Sequence, residues 1–290
     1  MAERGYNVSH PIRFTLYRSR LPSTGYRNIL LFGEDHDNIT QGRPDSITAT
    51  DFILRKLEED GTLNVYVEMP EGEELYEGLG INQLERWVRR EQTRKSAGLR
   101  YDPRLDRIHN IDRRYEEGII PEALHRSADR ASYEPFKQRV RDFVMRREPR
   151  LENLLNETFE EADDELGQEI PEGEDIGEDE GEDEGEDMDD DEDEGDDMDD
   201  DEDEGDDMND DEDIRADDDL GYAKTAVSGP IVEAEMSHII RHNPHNASDM
   251  IFYTGDAHTE NLKEHILNPS IEYELLYDRR HTDPVGVTRF

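Results

Sequence analysis

Met250-Ile251-Phe252-Tyr253-Thr254 runs directly into Gly255-Asp256-Ala257-His258, and the fold class is read from this stretch. Five apolar, aromatic or β-branched residues without polar alternation are too short for a stable helix and predict a strand covered on both faces. The abrupt change to Gly, Asp and His marks the strand end, where a parallel sheet presents its functional loops. Three further segments share the design: Asn28 to Phe32 before Gly33-Glu34-Asp35-His36, Leu63 to Val67 before Glu68-Met69-Pro70, and Arg107 to Ile111 before Asp112-Arg113-Arg114. The third is the least uniformly apolar.

Helical periodicity separates these runs. Ser46 to Glu59 places Phe52, Ile53 and Leu57 on one stripe, and Tyr133 to Arg147 places Phe136, Val140, Phe143 and Val144 on another. Ser228-Gly229-Pro230 reads as a helix start, followed by Val232, Met236, Ile239 and Ile240. Asn261 to Leu267 is expected to be helical, and Ile271 to Tyr277 to be a final strand. Strands alternating with helices predict an α/β fold with a mostly parallel central sheet and helices on both faces.

Charge defines one interruption of that fold. Of the formal −45, residues 160–219 carry −39 through 40 carboxylates and one arginine, which leaves −6 for the other 230 residues. Between Glu172 and Asp213 the sequence repeats every ten residues, as in Asp191 to Asp200 and Asp201 to Asp210. Such a run repels itself and has nothing apolar to bury, so a disordered acidic insertion is expected over 161–219. The first part of the α/β domain then spans 1–160, including a basic helical segment over 71–160, and the second spans 220–290. The repeat lacks the Asp-x-Asp-x-Asp-Gly loop and flanking helices of an EF-hand, so only diffuse cation binding is expected there.

The absence of cysteine excludes disulfides, thiolate metal sites and thiol nucleophiles. No apolar N-terminal run or long apolar window is present, so an intracellular, cytoplasmic protein without a membrane partner is expected. No Gly-x-Ser-x-Gly nucleophile elbow occurs, which favours water as nucleophile in any hydrolysis.

A single parallel sheet would bring Glu34, His36, Glu68, Asp112, Arg113 and His258 to one edge, although they come from distant parts of the chain. Gly33 and Gly255 fit strand ends that need a positive φ or a close backbone approach. The plain alternative for His36 and His258 is turn capping, for Glu68 a solvated strand end, for Asp112 and Arg113 a surface pair, and for Asp256 a turn residue. Glu235, His238 and His242 complete neither a His-Glu-x-x-His nor a paired Glu-x-x-His pattern and are assigned to solvent.

The two Gly-x-x-His motifs, Gly33 with His36 and Gly255 with His258, and Glu68 on the strand between them, resemble the Tiki/TraB superfamily, which includes erythromycin esterase-like and ChaN-like proteins. The resemblance spans roughly Ile29 to Leu267 apart from the acidic stretch, which is foreign to it. It implies a hydrolase-like site at the sheet edge, in some branches a divalent-metal peptidase and in others a metal-independent esterase with the histidine as general base. Glu34 inside the first motif is closer to the esterase and ChaN-like branches. The family's positively charged site residue corresponds to Arg113 or Arg114.

Two mechanisms follow for an amide or ester substrate. His36, Glu68 and His258 supply ligand types suited to Mn²⁺, Co²⁺ or Zn²⁺ with an open water position. Alternatively His36, oriented by Glu34 or Glu68, deprotonates water while Arg113 stabilises an oxyanion. The competing class is a non-catalytic interaction protein whose acidic insert captures basic proteins. Residues 86–150 hold 18 Lys and Arg against 11 Asp and Glu, the mark of an amphipathic helical face or of a surface for nucleic acid phosphates or acidic protein that the insert would compete for. With the chain so acidic overall, nucleic acid is not the expected partner.

Overall fold

A computed structural model describes residues 6–9, 13–21, 25–34, 47–69, 80–114, 116, 118–167, 220–280 and 286–288. In chain order the described strands are β1 (Tyr6–Ser9), β2 (Arg13–Leu21), β3 (Gly25–Glu34), β4 (Ile47–Thr48), β5 (Asn64–Val67), β6 (Ile108–Asn110), β7 (Met250–Gly255), β8 (Tyr273–Arg280) and β9 (Gly286–Thr288). The described helices are α1 (Ala49–Glu59), α2 (Gly80–Ser96), a short α3 (Glu122–His125), α4 (Tyr133–Arg147), α5 (Glu152–Gly167), α6 (220–228), α7 (Pro230–His242) and α8 (Asp256–Leu262).

The four strand runs read from the sequence are the four parallel strands of one sheet, side by side in the order β6-β5-β7-β3. Beyond β3 the sheet continues with β2, antiparallel to β3, and then β8, antiparallel to β2, while β1, β4 and β9 form a small second sheet. The α/β class with a mostly parallel sheet is therefore the observed one. Alternation along each strand divides the interior in two. Ile29, Leu31, Tyr66, Met250 and Phe252 face one core with α4 to α8. Leu30, Phe32, Val65, Val67, Ile251 and Tyr253 face the other with α1 and α2.

This arrangement positions the site. β7 lies between β3 and β5, and its chain leaves toward α8 on one face of the sheet, whereas both neighbours lead into helices on the other. Adjacent strands whose connections part to opposite faces open a crevice at their carboxyl ends, where ligands of such sheets bind. Gly33 lets β3 and the start of α8 come close. A Cβ there would meet Asp256 Oδ1 at 2.7 Å and Asp256 Cα at 3.0 Å. Gly255 has φ −58°, so neither motif glycine is needed for a positive φ; for Gly33 the reason is close approach.

Three expectations change in detail. β2 was not among the strand runs, although Arg13 to Leu21 pairs along its whole length with β3. α5 continues to Gly167, so residues 161–167 belong to a helix that packs Leu155, Phe159 and Ala162 into the core. The acidic repeat itself lies outside the described residues. Ser228-Gly229-Pro230 is a break between two helices, α6 and α7, with Pro230 in the first turn of the second. Among the described residues no helix is long and apolar enough to cross a membrane.

Candidate functional site at the sheet edge

Glu68 follows β5 directly, and its backbone N–H continues the ladder by donating to the Tyr253 carbonyl at 3.0 Å. Its carboxylate is buried and turned toward the end of β7. Oε2 accepts the Gly255 N–H at 3.1 Å, and Oε1 accepts from Arg114 Nη2 at 2.7 Å. His258, in the first turns of α8, brings Nε2 to 3.3 Å from the same Oε1. Its other nitrogen, Nδ1, lies 3.0 Å from Oε1 of Glu233 on α7. Asn261 Nδ2 donates to that Glu233 oxygen at 2.9 Å, while Glu233 Oε2 is buried without a hydrogen-bond partner.

The strand ends fix the remaining members. Asn110 closes β6 and ties it to β5: its side chain accepts from Met69 N–H at 3.1 Å and donates to the Met69 carbonyl at 2.9 Å. The same oxygen accepts from Asp112 N–H at 2.9 Å and so directs the turn after β6. Asp112 then accepts from Arg114 Nε at 3.0 Å and Nη2 at 2.8 Å, which aims the guanidinium at Glu68. The result is one largely buried chain, Asp112–Arg114–Glu68–His258–Glu233, assembled from the ends of two strands and the starts of two helices.

Electrostatics set the proton positions. Burial by itself raises the proton affinity of Glu68, but the charge and hydrogen bond of His258, the charge of Arg114 and the Gly255 N–H outweigh it and hold the carboxyl well below its usual range. Burial likewise opposes charge on His258. The carboxylates of Glu68 and Glu233 reverse that and push its pKa up to about 10. His258 is thus an imidazolium at neutral pH, donating from both nitrogens, and Glu68 is its counter-ion.

The sequence-named residues divide into three groups. Glu68, His258 and Asp112 meet at the crevice. Glu34 stands at the end of β3, level with Gly255, and its Oε2 accepts the Ile81 N–H at 2.8 Å in the first turn of α2. It also helps burial raise the pKa of the Tyr253 phenol well above normal. Arg113 points elsewhere: it pairs with Glu116 and approaches Glu235 at 3.7 Å, and Arg114 occupies the place next to Glu68. Asp256 pairs with Arg13 at 2.6 Å and Arg280 at 3.0 Å, outside the Glu68 chain. His36 lies outside the described residues.

Sequence reading missed Glu233. The available signal was that α7 is apolar almost all round, with Ile231, Val232, Ala234, Met236 and Ile239 buried, so a carboxylate in its first turn must be buried and must find a partner. Glu235 was assigned to solvent but is buried and held by Arg147 at 3.0 Å. Among the described residues no three His, Asp or Glu side chains form a group that could hold a metal ion. No protein-family model, curated protein or solved structure matches the chain.

Proposed function

We propose that the protein hydrolyses an ester or amide bond at the β5/β7 crevice, with Glu233 orienting His258 and His258 acting as proton donor. The observation that carries this is the charged His258 between two buried carboxylates at a sheet edge. Nε2 is the nitrogen that can give up its proton, because its 3.3 Å contact with Glu68 is looser than the 3.0 Å bond from Nδ1 to Glu233, and a ring charged at neutral pH fits the role of general acid rather than base. Water adds to the carbonyl carbon and loses its proton to a base, for which the resemblance nominates His36. The leaving oxygen or nitrogen takes the His258 proton as its bond to carbon breaks, and solvent reprotonates the ring. Arg114, clamped by Asp112, keeps Glu68 ionised and thereby keeps His258 charged.

A Mn²⁺, Co²⁺ or Zn²⁺ ion on His36, Glu68 and His258 is the competing form of the same proposal. Among the described residues no three ligand-type side chains form a metal centre, so this form depends on His36 to complete the set. Assaying ester and peptide substrates before and after exhaustive chelation separates the two forms. In either, His258→Gln and Glu68→Gln are expected to lower kcat by roughly 10² to 10⁴ with an unchanged circular dichroism spectrum; retention of full activity by both would remove the proposed roles. The non-catalytic reading, favoured by the 40 carboxylates of residues 160–219, requires instead that deleting 172–213 abolish capture of basic proteins while His258→Gln leaves it intact.

A further inference from the structure

α4 and α7 lie against each other and present arginine to a shared cleft of about 650 Å³. Arg139, Arg146 and Arg147 line it from α4, and His238, Arg241 and His242 from α7. The spacings explain the convergence: 139, 143 and 146 share one face of α4, and 238, 241 and 242 one face of α7. α7 leads from the catalytic edge of the sheet down toward the start of β7, so His238 and His242 sit roughly 8 and 14 Å along its axis from Glu233. The cleft is therefore a second location, separate from the Glu68 crevice.

Its charges are arranged in two tiers. Arg147 and Arg241 are fixed from behind by buried carboxylates, Glu235 at 3.0 Å and Glu148 at 3.1 Å, and Arg241 also donates to the Arg147 carbonyl at 2.6 Å. Glu148 is itself held by Arg150 at 2.9 Å and accepts from Ser237. In front, Arg139 and Arg146 are exposed and form no ion pair among the described residues. Asp142 is the single lining carboxylate, and it accepts from Gln138 at 2.7 Å. The His238 and His242 rings stand 4.4 Å apart beside these guanidinium groups. Burial, and after it the positive charges of Arg147, His242 and Arg241, lower the pKa of His238.

We propose that this cleft binds a compact polyanion carrying two or more phosphate groups. The volume is that of a small-ligand site, and guanidinium forks match phosphate oxygens two at a time. Pre-fixed Arg147 and Arg241 supply the floor, and Arg139 and Arg146 close from the sides.

The test is calorimetric titration of the full chain with inorganic tripolyphosphate at low ionic strength. Arg139→Gln/Arg146→Gln is compared with a charge-matched surface pair, Arg90→Gln/Arg126→Gln. Saturable binding that weakens by at least about tenfold in the first pair and not in the second is the expected result, because two charge-assisted contacts are lost. An upward shift of the His238 ring titration on adding tripolyphosphate should accompany it. No binding up to millimolar ligand, or equal weakening in both pairs, would overturn the proposal. So would a single-stranded oligonucleotide that binds far more tightly through Arg139 and Arg146, since it would make the cleft part of an extended nucleic-acid surface.

Discussion

Glu233, with no exposed surface, and His258 illustrate how a buried carboxylate and an imidazole fix each other inside a fold. His109 is the contrast. It stacks on His245 at 3.7 Å between ring centroids and bonds Asn64 at 2.8 Å, and burial followed by the His245 charge lowers its pKa to about 4. In one molecule at pH 7, ring resonances should therefore report His258 charged and His109 neutral. A titration of His258 near 6.5, its ordinary value, would remove the proposed proton donor. The signs also set a stability optimum. The contribution of His258 is complete below about 6.5 and is lost as pH rises through about 10, whereas that of His109 is complete above 6.5 and declines toward 4. Urea midpoints are expected to peak near pH 6.5 through these two residues. Glu233→Gln leaves an imidazolium with one counter-ion fewer, and roughly 3 kcal/mol of unfolding free energy should be lost, read from the same urea curves. At this scale the sequence was half legible. Glu68 and His258 stood out because each follows an apolar strand, but choosing Arg114 over Arg113 required the Asn110–Asp112 turn that aims it.

Elements were more legible than their joints. The runs at 28–32, 63–67, 107–111 and 250–254 are all strands, because an uninterrupted apolar run has one stable use in a sheet covered on both faces. β2 escaped because Arg13, Arg18 and Arg20 interrupt Phe14, Leu16 and Tyr17 in the sequence, and the acids that neutralise Arg13, Asp256 and Glu260, come from a distant part of the chain. α5 was cut short at 160 by counting charge, which does not register that Ala162 continues the Leu155 and Phe159 stripe. α8 starts at Asp256 rather than near Asn261, because Gly255 ends β7 and caps the helix at once. That junction is also tightly packed. Gly33→Ala would place a methyl group 2.7 Å from Asp256 Oδ1 and 3.2 Å from Arg13 Cβ. Overpacking between β3 and α8 is expected to destabilise by roughly 1–3 kcal/mol. It should also displace the helix that carries His258, lowering kcat more than it raises KM. A Gly33→Ala protein with unchanged melting temperature and kinetics would show that the close approach has no bearing on the site.

Over the whole molecule, the described core runs to Gly167 on α5 and resumes at Leu220 on α6. Leu155, Phe159 and Ala162 before the acidic stretch and Leu220, Ala223 and Val227 after it pack into the same core. Both ends are therefore anchored without it, and deletion of 172–213 should shift the melting temperature by only a few degrees while mean residue ellipticity in the helical region rises. Collapse of the melting transition on deletion would show that the acidic stretch belongs to the folded unit. Nothing in the order of residues told which strand would be central. β7, formed by the last of the four runs, inserts between the first two, and that placement is what brings His258 between Glu68 and Glu233. The most direct measurement of the hydrolase reading is the turnover of a panel of chromogenic esters and peptide amides by the full chain and by His258→Gln, with and without added Mn²⁺, Co²⁺ or Zn²⁺. Hydrolysis by the native chain that drops at least about a hundredfold in the variant is the expected result. Equal rates in the two proteins, or no hydrolysis of any substrate under any of these conditions, would contradict it.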